Sequence, residues 1–237
     1  TLYDNPFLAK EVLQNLETEY RGTVFFDRYV LGEWKAAEGT IYMLFADETE
    51  KFLVDKANEQ LAIVTIGVDY GAGKSKIKFV ASGITYNFRN VYVLDEMDLN
   101  GVYDPEQIYE KFIEFYKRVY GKYDKCQYAF CDYGALGNVI TLGLIRRCQK
   151  ERLPVQVVDC EKGLINDRIF LSSTLMAQRR FYILRKNTII TKAFQDALWN
   201  SKSQDERLDD GTTDIDSLDA FEYSINSFYE NLINSRR

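Results

Sequence analysis

Two acids in this chain stand in the same setting. Val68-Asp69-Tyr70-Gly71 and Cys131-Asp132-Tyr133-Gly134 each end an apolar run with an acid, an aromatic residue and a glycine. The run before Asp69, Ile63-Val64-Thr65-Ile66-Gly67-Val68, is β-branched and reads as a buried strand. A carboxylate there is costly unless a metal ion or a basic side chain meets it. The alternative is that Asp69 caps the turn at Gly71. If the two strands lie parallel and adjacent, their carboxyl ends meet at one sheet edge, where open α/β sheets bind ligands. Carboxylates brought that close raise each other's pKa unless a cation neutralises them. A third acid follows in Asp214-Ile215-Asp216-Ser217-Leu218-Asp219-Ala220. Leu218, Phe221, Ile225, Phe228 and Leu232 form one helix face, Asp219 borders it, and Ala220 is small enough for close approach to a sheet. Asp216 lies three residues earlier on the same side. Thr213-x-x-Asp216 also has the form of a capping box, so Asp216 has two readings.

The chemistry these residues imply is metal chemistry. All-oxygen ligands select Mg²⁺ or Mn²⁺, which makes Asp69, Asp132, Asp216 and Asp219 candidate ligands and Asp69, Asp132 and Asp219 candidate catalytic groups. Three carboxylates and a phosphodiester are balanced by two divalent ions about 3.5–4 Å apart, one activating a water and the other stabilising the leaving oxygen. The chain has no histidine, which removes the commonest general base and the Ser-His and Cys-His schemes. Cys126, Cys131, Cys148 and Cys160 form no Cys-x-x-Cys pair. A Cys/His zinc site is thereby excluded, and the thiols read as buried and reduced.

The elements that must carry these acids follow from pattern. Residues 1–21 read as one helix with Asn5 as cap and Pro6 in its first turn. Residues 23–45 read as an aromatic-rich segment wrapped over a surface, and 46–60 as charged and helical or loose. Strands are expected at Leu61–Asp69, Lys76–Gly83 and Asn90–Met97, joined by hairpins. A helix over Pro105–Tyr120, a strand Gln127–Cys131, a helix Ala135–Lys150 and a strand Val155–Val158 follow. Helices at 166–180, 188–199 and 214–233 complete the chain, with a polar loop at 200–213. This order is that of an α/β, RNase H-like mixed sheet: three antiparallel hairpin strands, then parallel strands, with helices on both faces.

The 237 residues, 46% hydrophobic and 14% aromatic, suffice for a packed core. No apolar run or leader sequence points to a membrane. A net charge of −6 argues against a surface coated for nucleic acid but allows a local basic groove. Lys74, Lys76 and Lys78 share a strand face, and Arg179, Arg180, Arg185 and Lys186 form a second basic patch. From these, Lys74, Lys76, Arg179, Arg180 and Arg185 are the candidate DNA contacts. Arg146, Arg147, Lys150 and Arg152 end a helix, where cations complement its dipole. Gly71-Ala72-Gly73-Lys74-Ser75 fails as a phosphate loop on spacing and context.

These pieces resemble the C-terminal nuclease domain of a tailed-phage large terminase, the DNA-packaging motor. Gly67-Val68-Asp69-Tyr70-Gly71 and Phe130-Cys131-Asp132 resemble the family's first two acidic motifs. Asp216-Ser217-Leu218-Asp219-Ala220 resembles the third, in which many members carry His where Asp216 stands. Asn5-Pro6-Phe7 through Phe25-Phe26-Asp27-Arg28-Tyr29-Val30-Leu31-Gly32-Glu33-Trp34 resembles the segment joining motor to nuclease. The resemblance implies a linker over 1–60, a nuclease domain over 61–237, and an ATPase domain upstream of Thr1. It implies cutting of concatemeric double-stranded viral DNA in the host cytoplasm. The partners it implies are double-stranded DNA, with the portal and the small terminase subunit met through the full-length protein. Other readings are a resolvase or transposase of the same fold, or a non-catalytic module docking on the portal. Actin-like ATPases also start with strand-Asp-x-Gly, but need a second half for which this chain is too short.

Overall fold

The computed structural model describes residues 1–20, 26, 30–32, 39–71, 76–132, 134–200 and 206–235. Lys74 and its glycine-rich loop, Tyr133, and most of the aromatic segment including Phe25 and Trp34 lie outside them. The elements in order are α1 (Lys10–Tyr20), α2 (Met43–Asp47), β1 (Leu53–Val54), β2 (Leu61–Asp69), β3 (Ile77–Thr85), β4 (Val91–Leu99), α3 (Pro105–Tyr123), β5 (Tyr128–Cys131) and α4 (Ala135–Lys150). There follow β6 (Gln156–Asp159), α5 (Ile165–Ala177), β7 (Phe181–Leu184), α6 (Thr188–Asp196), α7 (Ile215–Asn226) and α8 (Tyr229–Asn234).

The strands form one sheet in the order β1-β7-β4-β3-β2-β5-β6. β3 pairs antiparallel with both β2 and β4, while β4 with β7, β7 with β1, β2 with β5 and β5 with β6 are parallel. Among the described residues, β3 alone therefore opposes the direction the other strands share. This is the expected RNase H-like mixed sheet.

Period-two alternation divides the sheet's two faces. Val64, Ile66 and Val68 of β2 pack with Phe79 against Phe112, Phe115 and Val119 of α3 and Leu144 of α4. Thr65, Gly67 and Asp69 face the other way, toward α7. Thr65 Oγ1 donates to the Ser224 carbonyl at 2.7 Å, and the hydroxyls of Ser82 and Ser224 are 2.6 Å apart. On that second face Phe181, Phe194, Leu218 and Phe221 close a core with Phe45 and Phe52.

The structure departs from expectation in the N-terminal part and at two strands. In place of one helix, residues 1–20 hold a short 3-10 turn, Leu2–Asp4, followed by α1. Residues 46–60, expected to be charged and helical or loose, do hold the end of α2 and a 3-10 turn, Thr49–Lys51, but Leu53 and Val54 also pair with Ile183 and Leu184 as an edge strand. Tyr42, Phe45 and Phe52 are buried to within 2% of full exclusion from solvent. Packing is thus continuous across residue 60. The apolar run Phe181-Tyr182-Ile183-Leu184 is strand β7, which the sequence pattern does not distinguish between two helices. The final helix breaks at Ser227, giving α7 and α8.

Candidate metal-dependent active site

Asp69 is the last residue of β2, and Asp132 follows the last residue of β5. The register pairs Val68 with Cys131 in parallel, so the two acids leave adjacent strands at the same end of the sheet. Alternation puts Asp69 on the face covered by α7. That helix crosses β2 at minimum distance because Gly67 has no side chain: a Cβ built there would lie 1.8 Å from the Ala220 carbonyl oxygen. Asp219, the residue before Ala220, is thereby carried to the acid end of the sheet.

The carboxyl group of Asp69 is buried, and one oxygen accepts the Gly71 N–H at 3.1 Å, so Asp69 does cap its turn. Its pKa is pushed from 3.8 to about 8, first by burial and then by the negative charges of Asp219, Asp216 and Asp132, against the lowering effect of the Gly71 bond. All three other acids therefore act on Asp69 electrostatically.

Asp132 and Asp219 are each met by basic side chains. Lys162 forms an ion pair with Asp132 Oδ1. Arg168 of α5 and Arg207 reach Asp219 Oδ1 at 2.9 and 3.1 Å. Among the described residues, no three acid, cysteine or histidine side chains stand close enough to hold an ion as they are placed. The groups that now occupy Asp132 and Asp219 are themselves cations. Oxygen-only donors with an under-compensated buried carboxyl at their centre fit Mg²⁺ or Mn²⁺.

Asp216 accepts the backbone N–H of Lys76 at 3.0 Å, and its pKa is raised chiefly by burial. The capping-box reading of Thr213 and Asp216 is corrected here. Asp214 caps α7 through Ser217 N at 3.2 Å, while Thr213 Oγ1 donates to the Leu208 carbonyl at 2.6 Å. Lys78, directly opposite Asp69 on β3, is buried and ion-paired with Asp98 at 3.2 Å and Asp214 at 2.9 Å. It ties the start of α7 to the sheet.

The candidate DNA contacts separate. Lys76 is half exposed beside Asp216 and borders a cleft of about 780 Å³ with Lys192 and Thr188. Arg185 is half exposed and paired with Glu50 at 2.8 Å. It follows β7, three strand spacings or roughly 14 Å from β2, and because Ile183 is level with Val93 while Asp69 is level with Lys78 and Asp98, it stands short of the acid end of the sheet. Arg179 and Arg180 precede β7 and so lie at the opposite end. Arg179 pairs with Glu48 and covers Phe52. Arg180 is 2% exposed, and its guanidinium donates to the carbonyls of Phe88, Arg89 and Leu232. A DNA contact at Arg180 is therefore excluded, and the Arg179 patch does not border the acids. Both arginines hold the N-terminal end of β7.

Sequence reading also missed Lys162, Arg168, Arg207 and Glu222. Two carried a signal: Glu222 falls four residues after Leu218 on the apolar face of α7, and Arg168 sits inside the apolar α5.

The mixed seven-stranded RNase H-like sheet with its surrounding helices is the fold of large-terminase nuclease domains of solved structure. The large terminase of a thermophilic bacteriophage, in its second crystal form, is similar over 96% of this chain, with 21% identity and a TM-score of 0.76. This chain spans about half, 53%, of that one. The large-terminase nuclease of thermophilic phage G20c with bound magnesium matches 79% of this chain and 97% of its own, at 10% identity and a TM-score of 0.53. The nuclease domain of the bacteriophage SPP1 large terminase with bound Mn matches 74% and 96%, at 16% identity and a TM-score of 0.51. At these identities the likeness is one of fold. No family model and no curated protein matches the sequence.

Proposed function

We propose that this chain is the nuclease part of a phage large terminase and cuts double-stranded DNA by metal-dependent phosphodiester hydrolysis during genome packaging. The observation that carries the reading is that Asp69 and Asp132 leave adjacent parallel strands at one end of the sheet and that α7, seated on Gly67, carries Asp219 to that end. The single backbone bond that Asp69 accepts from Gly71 does not compensate a buried carboxylate, and burying a carboxyl without a cation is unfavourable. The reading is supported by the fold and by the magnesium and manganese bound in the G20c and SPP1 structures.

In this reading Asp69, Asp132 and Asp219 hold two divalent ions, with Asp216 as a further oxygen donor. The ions supply Lewis acidity and the lowered pKa of the attacking water. Asp132 would hold metal in place of Lys162, whose 41% exposed ammonium would then be free to meet a phosphate. Lys76, with Lys74 two residues before it in sequence, and Arg185 are the proposed backbone contacts. DNA affinity rests on phosphate neutralisation and falls steeply with salt. The portal, the small terminase subunit and the host cytoplasm as setting belong to the same proposal.

A second reading is a docking module whose acids are structural. It is favoured by the ion pairs that already occupy Asp132 and Asp219. Calorimetric Mn²⁺ titration separates the two readings. The nuclease binds Mn²⁺ and loses it in Asp132→Asn; a docking module gives no binding heat in either protein.

A further inference from the structure

Asp219 is gripped from outside its own helix. Arg168 and Arg207 both donate to Oδ1, and among the described residues no hydrogen bond reaches Oδ2. The same two guanidinium groups are gripped from behind. Arg168 Nη1 is 3.0 Å from Glu222 Oε2, and Arg207 Nη2 pairs with Glu222 Oε1. Glu222 lies three residues after Asp219, one turn along α7. It is 1% exposed and also accepts the hydroxyl of buried Tyr42 at 3.2 Å.

Such a cluster is expensive as pure architecture. Apolar residues of the same volume usually pack at least as stably as a buried ion network. Its charges are arranged so that two guanidinium groups oppose two carboxylates. Without Glu222, two cations would stand over Asp219 and repel any divalent ion brought to it. With Glu222, the arginines are neutralised. They remain as a rigid fork that orients one oxygen of Asp219 while the other stays available.

We propose that Arg168, Arg207 and Glu222 are positioning residues that set Asp219 as a metal ligand, and that Tyr42 fixes Glu222 in turn. The proposal rests on the reading of Asp219 as a ligand. It extends the site through three further elements: α5, the segment carrying Arg207, and the stretch before α2.

The test is Mn²⁺ binding by calorimetry and by the electron paramagnetic resonance spectrum of the bound ion, with thermal melting to establish that each variant is folded. The whole chain is used as wild type, Asp219→Asn, Glu222→Gln, Arg207→Lys and Tyr42→Phe. Changing a partner that orients a metal ligand lowers metal affinity about 10–100-fold. Glu222→Gln is expected in that range, because it also leaves an uncompensated cation beside Asp219. Tyr42→Phe keeps the ring and is expected to weaken binding about threefold and to alter the spectrum, with little change in melting. Arg207→Lys, which keeps the charge but loses the fork, is expected to fall between them. If Glu222→Gln does not fold, Tyr42→Phe and Arg207→Lys decide. Wild-type binding with unchanged affinity and spectrum in the folded variants overturns this inference alone. No binding by the wild type overturns the nuclease reading and this inference with it.

Discussion

Gly67 of β2 lies directly beneath Ala220 of α7, so close that a single methyl on Gly67 would stand 1.8 Å from the Ala220 carbonyl oxygen and 2.8 Å from the Ser224 nitrogen. The backbone of the helix cannot yield as a flexible side chain can. Gly67→Ala therefore lifts α7, and with it Asp219, away from Asp69. Overpacking of this kind costs about 1–3 kcal/mol, and misplacing a catalytic group by about an ångström costs about 10²-fold in rate. Denaturant unfolding and DNA cleavage on the same preparation check it: stability falls modestly and cleavage falls far more.

Asp69 makes metal-free stability depend on pH. Its pKa in the folded chain is about 8, well above its ordinary value of 3.8. Because the folded state binds this proton more tightly, the contribution is fully present below about pH 4 and is lost as pH rises through about 8. Thermal melts in EDTA should show wild type falling between about pH 4 and about pH 8 while Asp69→Asn, always neutral, falls less. At pH 9 the variant should be the more stable by about 1–3 kcal/mol, roughly 3–10 °C. Adding Mn²⁺ should raise the wild type alone.

Lys162 competes with metal for Asp132. The lysine is 41% exposed, so the pair is screened and weak. Lys162→Ala should tighten Mn²⁺ binding about two- to fivefold in calorimetry, with melting unchanged in EDTA. Weaker binding in a folded variant would show that Lys162 orients Asp132 instead of opposing the ion.

The basic residues should divide by position. Arg180→Ala removes a buried guanidinium from three carbonyls and should cost about 3–5 kcal/mol in denaturant unfolding. Lys76→Ala should leave stability within about 0.5 kcal/mol but weaken DNA binding and reduce the salt slope by about one. Filter binding across a salt series reads both terms.

Much of the sheet was legible because its strands are apolar, β-branched and bounded by turn residues. Leu61–Asp69 and Ala135–Lys150 have the limits their patterns predict. The third-acid helix was legible from Leu218, Phe221 and Ile225. β1 was not, because two residues carry no period, and Leu53-Val54 becomes a strand only by pairing with β7. β7 was hidden by its length of four residues between two helical patterns. The acids were visible as carboxylates misplaced at the ends of buried runs. Which cations meet them was not visible, although Arg168 stands out inside the apolar α5. Arg168, Arg207 and Lys162 meet Asp219 and Asp132 through tertiary contacts that no local spacing encodes, and Arg180 looked like surface charge until its carbonyl partners fixed it inside.

The central claim is that Asp69, Asp132 and Asp219 form one hydrolytic site. Supercoiled plasmid cleavage tests it most directly, run in Mn²⁺, Mg²⁺ and EDTA beside Asp69→Asn and Asp132→Asn. Nicked and linear DNA are expected with either metal, none in EDTA, and a loss of at least about 10³-fold in both variants. Cleavage that persists in EDTA, or in either folded variant, contradicts it.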